Sequence, residues 1–291
     1  MLAFLHGRAD ESRIHAASPT FIFIFNKNAP VWGVCCYIMD MYDYEAMKSN
    51  PLAFVKRRTI TSAYIDSTGR MGIAQTALMI QDNITGNFGE IDCDNFLLNK
   101  LGAYWVITRS KFHFYHRPFW RDKVHTVSFP VSNALVRANE NTAIVTPEGE
   151  FLITANQEAC CLDMQRHRPV KLTTLPFPRE GFPAPVFNDN FEKFTVPDCE
   201  YKEIFKEKVY SQNIDTSHHM NNIEYIKVAL NVLSVKEIEE REPLDLEVHY
   251  MGESMEGQTL SVRHAKVDGA SYMKIFNEDE RAVFEMKLTF R

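Results

Sequence analysis

The sequence lacks several things, and each absence excludes a class of protein. No apolar run reaches the length of a membrane span. The best stretch, Phe21 to Met39, is interrupted by Lys27 and Pro30. That stretch has no basic leader and no small-residue cleavage site, which argues against a secretory signal. Acidic Asp10 and Glu11 argue against a transit peptide. Positive charge is not in excess: 32 Lys and Arg face 38 Asp and Glu, a net charge of −6, so bulk charge does not suggest a nucleic-acid binder. The six cysteines, at positions 35, 36, 93, 160, 161 and 199, form no CxxC pair and no Cys/His zinc spacing. Two adjacent doublets suit buried small apolar residues better than a disulfide framework. The expectation is a reducing, cytoplasmic setting, with no metal, no cofactor and no nucleic-acid partner.

What is present supports a sizeable core. The 291 residues are 45% hydrophobic and 12% aromatic, enough for one large domain or two moderate ones. Residues 1–50 are expected to be an extension outside the fold, with Met39, Met41 or Met47 as alternative starts. From Val55 a repeating order begins. A β-branched stretch, "VKRRTITSAYID", reads as a strand and the turn "STGR" follows. The next run, "MGIAQTALMIQDNIT", carries Ile73, Ala77, Ile80 and Ile84 at helical spacing. Antiparallel strands then run to about residue 170, with a hairpin turn at Pro147–Glu150. Residues 171–195 are a proline-rich linker; Pro176, Pro178, Pro183 and Pro185 exclude a regular helix or central strand. Residues 196–291 repeat the order: strand "YKEIFKEKVYSQNID", turn "TSHH", helix "MNNIEYIKVALNVL" with Ile226, Leu230 and Leu233 on one stripe, then strands. Ile65, Asp66 and Met71 match Ile214, Asp215 and Met220 at one offset of 149. The reading is a duplicated α+β unit, each copy a long helix wrapped by an antiparallel sheet.

At the matched turn the first copy reads "DSTGRMG" and the second "DTSHHMNN". Asp215, Ser217, His219, Asn221 and Asn222 thus crowd around a helix start. Capping accounts for one or two of them. Metal binding is a poor alternative, because "HH" gives no i, i+4 pair. A helix N-terminus offers N–H donors and a positive dipole end to a carbonyl oxygen that gains negative charge. A general base is still needed, and Glu253, at a strand end in "HYMGES", offers one. Glu247 and Glu256 are the nearest decoys.

"IDTSHHMNNIEYI" resembles the D-x-N-x-H-x-N-N-x-x-Y signature of the acyl-acyl carrier protein thioesterases, and "HYMGES" resembles their Y-x-x-E-C/S segment. The interval from His219 to Glu253 (253 − 219 = 34) is also the family's. In the first copy, "WVITRSKFHFYHRPFWRDKV" resembles its W-V-x-x-R…R-x-P…D-x-V stretch. The resemblance covers about residues 55–291. It implies an α+β tandem, or double, hot-dog fold, with residues 51–170 as the N-terminal hot-dog and 196–291 as the catalytic one. It places His219, Asp215 and Glu253 at the family's functional histidine, aspartate and water-activating glutamate. Ser217 departs from the usual asparagine. Ser254 stands where plant members often carry cysteine, which favours direct attack by water over an acyl-enzyme.

The expected chemistry is hydrolysis of a fatty acyl thioester. Glu253 acts as base on water, His219 orients the reacting groups, Asp215 fixes His219, and N–H groups at Asn221 and Asn222 receive the oxyanion. Ile73, Ala77, Ile80, Gln81 and Ile84 are acyl-pocket candidates. The expected partner is an acidic acyl carrier protein, with a homodimer left open. Candidates for docking it are Arg57, Arg58, Arg109, Lys111, Arg117, Arg121 and Lys123, with Arg109, Lys111 and His113 alternating away from Phe112 and Phe114. The rival readings are a coenzyme A thioesterase, a hydratase or dehydratase of the same fold, and a non-catalytic acyl-thioester sensor.

Overall fold

The computed structural model describes residues 44–182, 186–187 and 196–291. The expectations for the first 43 residues, including the starts at Met39 and Met41, lie outside the described residues. So do those for linker residues 183–185 and 188–195.

The first half runs α1 (Tyr44–Ser49), β1 (Phe54–Thr59), α2 (Ile73–Glu90), α3 (Asn95–Lys100), β2 (Ala103–Phe114), β3 (Lys123–Asn133), β4 (Arg137–Val145) and β5 (Phe151–Asp163). The second runs β6 (Lys202–Lys208), α4 (Asn222–Leu230), α5 (Val235–Glu240), β7 (Pro243–Tyr250), β8 (Thr259–Val267), β9 (Ala270–Phe276) and β10 (Ala282–Phe290). The strands form one ten-stranded antiparallel sheet in the order β1-β3-β4-β5-β2-β7-β10-β9-β8-β6. From either edge inward the halves have the same order, first, third, fourth, fifth and second strand. The duplication read from residues is therefore also a duplication of topology. The two expected sheets are joined, because β2 and β7 pair antiparallel from Arg109↔His249 to His113↔Asp245. That pairing closes what would otherwise be two exposed strand edges.

Helix α2 forms where its apolar spacing predicts. Ile73, Ala77, Ile80 and Ile84 are all buried against β1, β3 and β4. Two polar residues share that buried face. Asn83 donates to Ser128 Oγ (2.8 Å) and accepts from Thr126 Oγ1 (2.6 Å), and Asn87 donates to the Ser128 carbonyl (3.3 Å). The second helix is shorter than expected. α4 ends at Leu230, and Ser234 starts α5 through a reciprocal capping box with Glu237. Both strands expected ahead of the matched turns are also shorter, ending at Thr59 and Lys208, each followed by a 3-10 turn, Ser62–Tyr64 and Ser211–Asn213.

The domain boundary at residue 50 falls inside packed structure. In α1, Tyr44 and Met47 are buried, and Tyr44 stacks on His125. Its Cβ lies where a side chain on Gly149 (φ +94) would stand. The linker is pinned by aromatics. Phe177 packs on Phe88 and Trp105, and Phe182 on Phe129.

Candidate active site

The two matched turns fold alike, so the first is an internal control for the second. Ile65 bridges Met71 and Ile214 bridges Met220. The N–H of Asp66 donates to the Arg70 carbonyl (2.9 Å), and that of Asp215 to the His219 carbonyl (3.0 Å). Asp66 Oδ1 accepts from the Thr68 N–H and Asp215 Oδ1 from the Ser217 N–H. Each turn has a residue in the left-handed region, Gly69 (φ 72) and His218 (φ 64). Histidine tolerates that region better than most residues, which gives His218 a conformational role in the turn. Asn221 is the N-cap of α4: its side chain accepts from the Ile223 N–H (2.9 Å), and its Nδ2 lies 3.4 Å from Asp215 Oδ2. The carboxylate of Asp215 therefore builds the turn and does not bond the imidazole. Asp215 fixes His219 through the backbone, by the bond from the Asp215 N–H to the His219 carbonyl.

Scaffold duties account for Asp215, the Ser217 backbone and Asn221. His219 and Glu253 are left over. Their side chains meet, Nε2 to Oε2 at 3.1 Å, in a partly open setting (side chains 20% and 41% exposed). Glu253 gets there because the chain leaves β7 after Tyr250, and the Met220 N–H then binds the Ser254 carbonyl (2.8 Å). The same bond in the first half joins Met71 to Pro118 (2.8 Å). By that correspondence the counterpart of Glu253 is Arg117.

Two residues not foreseen from sequence complete the surroundings. The Tyr104 hydroxyl, on β2 of the first half, lies 3.5 Å from Glu253 Oε1 and 3.4 Å from His167 Nδ1. Burial, then the neighbouring Glu253 charge, raises the Tyr104 phenol above its ordinary pKa, so it remains a proton donor. In sequence Tyr104 is one apolar-run residue among several; only the β2–β7 pairing brings it to Glu253. Tyr225, the last residue of the signature, is buried against Phe284 and Tyr250, and burial pushes its phenol up to about 12. Ser254 is fully buried beside the Tyr225 phenol, so it is not placed to attack a substrate. Asn222 opens α4, and no acceptor is placed for its N–H among the described residues. Nor is any group of three His, Cys, Asp or Glu there placed to hold a metal ion.

The pocket and docking candidates separate. Gln81 is half-buried, with an unpartnered Oε1. Arg117 is 3% exposed and locked: it donates to both Glu242 oxygens (3.0 and 3.2 Å), to Asp66 and to the Met71 carbonyl (3.2 Å). Lys111 is buried beside Glu247 (3.9 Å). Neither can meet a partner, contrary to expectation. Arg109, Lys111 and His113 do alternate with Phe112 and Phe114, but β2 is a middle strand, so β5 and β7 on either side hem in its outward side chains. Arg58 pairs with Asp82 (2.5 Å) and Arg109 with Glu158 (3.7 Å). Arg57, Arg121 and Lys123 are exposed. Arg57, Arg58 and Lys123 line an open cleft of about 450 Å³ with His125 and Pro147. That cleft, however, lies level with the Phe114 end of β2, whereas Glu253 meets the Tyr104 end. Ten residues of strand, roughly 33 Å, separate the two ends.

A helix laid on a curved antiparallel sheet, doubled in one chain with the halves joined edge to edge, is the tandem hot-dog architecture. Three solved structures share it. They are an acyl-ACP thioesterase from Bacteroides thetaiotaomicron (16% identity, TM-score 0.71, covering 82% of this chain and 98% of that one), the 12:0-ACP thioesterase from Umbellularia californica (14%, 0.73, 83% and 98%) and a putative oleoyl thioesterase from Lactobacillus plantarum (18%, 0.67, 84% and 98%). At such identities they establish the fold. No curated protein sequence matches the chain. Residues 198–289 match the model of the acyl-ACP thioesterase C-terminal domain. The match spans His219 and Glu253.

Proposed function

We propose that the protein hydrolyses a fatty acyl group from acyl carrier protein, with Glu253 as general base and His219 as its orienting partner. The observation that carries this reading is the 3.1 Å contact between two side chains that the duplicated scaffold does not need. Glu253 takes a proton from water as the water oxygen bonds to the thioester carbon. The carbonyl oxygen becomes an oxyanion beside the Asn222 N–H and the positive end of α4. When the tetrahedral intermediate collapses, the carbon–sulfur bond breaks and the proton returns through the Glu253–His219 pair to the leaving thiolate. Free fatty acid and carrier thiol are the products. Tyr104 holds the second carboxylate oxygen of Glu253.

The site draws on both halves of one chain, so the proposed chemistry does not need a homodimer. The proposed setting is the cytoplasm; no described helix is long and apolar enough to cross a membrane. For the carrier, the reading moves from the Arg57–Lys123 cleft to the end of the sheet where Tyr104 lies. There the turn after β5 exposes Arg166, His167 and Arg168, with Lys171 just beyond and Lys100 at the end of α3. Asp163 Oδ1 holds this turn by accepting from the Gln165 and Arg166 N–H groups (3.0 and 2.8 Å). An acidic carrier docked there would present its thioester close to Glu253.

The direct test is Glu253→Gln, which keeps the shape and removes the base. Hydrolysis of acyl-carrier substrate is expected to fall by about 10²-fold or more. Wild-type rates in that variant would refute the mechanism.

A further inference from the structure

The helix-facing side of the first-half sheet carries two sets of buried polar side chains: Thr126, Ser128 and Thr142 bond one another or Asn83 of α2, and a second row lies beside them. Ser110 on β2 pairs with Gln157 on β5, and Gln157 pairs with Glu140 on β4, so the three side chains are neighbours across three strands. They share a face with the core residues Phe112, Ala155 and Ala138. Their exposures are 0%, 4% and 1%, and Asn87 of α2, 2% exposed, lies over Glu140. Gln157 Nε2 donates to Ser110 Oγ (3.0 Å), but Gln157 Oε1 has no hydrogen-bond partner, and the Glu140 carboxyl oxygens have none of good geometry, although the Asn87 amide approaches them. Buried polar atoms are paired in nearly all native proteins, so three such atoms in one cluster point to a missing ligand group. On the same face the row is flanked on one side by Ala138 opposite Ala159, and on the other by Ala155 between Phe112 and Thr142.

The row also lies at a definite depth. Leu162 is level with Tyr104, beside Glu253, and Gln157 is five residues further along β5, about 16 Å away. A chain entering beneath α2 from the Glu253 end would meet the polar row far from its thioester.

We propose that Glu140 and Gln157 form a receptor for an oxygen function in the distal part of the acyl chain, so that the preferred substrates are acyl thioesters hydroxylated remote from the carbonyl. This rests on the thioesterase reading above and deepens it. A hydroxyl both donates and accepts, so it fits the pair: it accepts the Glu140 carboxyl proton and donates to Gln157 Oε1. Burial holds the Glu140 carboxyl well above the ordinary carboxylate range, in its proton-donating form. An unsubstituted chain at the same depth would leave both groups without that bond, and a site built to bond a hydroxyl rejects the analogue that lacks one strongly.

The experiment uses the full chain and carrier-bound acyl chains of equal length, one unsubstituted and the others with a single hydroxyl stepped along the distal half. One hydroxylated isomer is expected to exceed the unsubstituted chain in kcat/KM by about 100-fold. Glu140→Leu is expected to abolish or invert that preference, whereas Glu140→Gln, whose amide still donates, retains most of it. Equal or better hydrolysis of the unsubstituted chain by the wild type, or an unchanged ratio in Glu140→Leu, overturns the proposal and leaves the thioesterase reading intact. If the wild type releases no chain at all, the thioesterase reading fails. The receptor is then decided by thermal shift of the Glu253→Gln variant with matched free hydroxy and unsubstituted fatty acids, where equal shifts overturn it.

Discussion

Glu253 touches two residues of different origin: His219 from the loop that starts its own half's helix, and Tyr104 from the central strand of the other half. In the proposed mechanism the first contact ties the base to the group that orients water or substrate. The second fixes the carboxylate oxygen that faces away from His219. At 3.5 Å it is a weak hydrogen bond, so its loss should be felt without being decisive. Tyr104→Phe is expected to lower kcat by about tenfold with little change in KM, because it disturbs the base and leaves the binding surface alone. Steady-state kinetics on one acyl-carrier substrate separates the two parameters. A change confined to KM would place Tyr104 in binding instead.

At the scale of elements, the same turn-and-helix unit does two jobs. In the first half its Asp66 pairs with buried Arg117; in the second its Asp215 caps a turn that carries His219 toward Glu253. The turn after β5 is the other element that matters, since it joins the strand end beside Tyr104 to a run of exposed cations. Reversing charge with Arg166→Glu and Arg168→Glu together is expected to raise KM for carrier-linked substrate about tenfold or more, with a reduced salt dependence, while small thioesters are hydrolysed as before. The same reversal at Arg57 and Lys123, at the far end of the strands, should change neither. The opposite pattern would return docking to the cleft.

At the scale of the whole molecule, a single sheet makes the halves interdependent. Arg117 links the first-half turn, through Asp66, to Glu242 just ahead of β7. It stands where the second half has its catalytic candidate, so one half has turned the position into a structural tie. Arg117→Met should destabilise the fold by about 2–3 kcal/mol. Removing the cation leaves Asp66 without its partner, and the partial exposure of Glu242 keeps the loss below that of a fully buried pair. Urea unfolding checks the magnitude. Hydrolysis per folded molecule should be unchanged, because Arg117 is remote from Glu253.

Much of this was legible in the residues. The apolar spacing of α2, the 149-residue offset and the short polar groups from Asp215 to Asn222 are local patterns, and local sequence sets helix periodicity, turn chemistry and capping directly. His219 and Glu253 each sit at a recognisable element end, and the family resemblance singled them out there. The rest needed tertiary structure. Tyr104 joins the site only through the pairing of β2 with β7, and that register depends on contacts more than 100 residues apart in sequence. The burial of Lys111 and Arg117, the end of the sheet at which cations meet the site, and the buried carboxyl of Glu140 all follow from which strands became central. Sequence alone determined what each element is and which polar residues its turns carry; the folded sheet decided which of them meet, because burial and pairing across strands belong to no single segment.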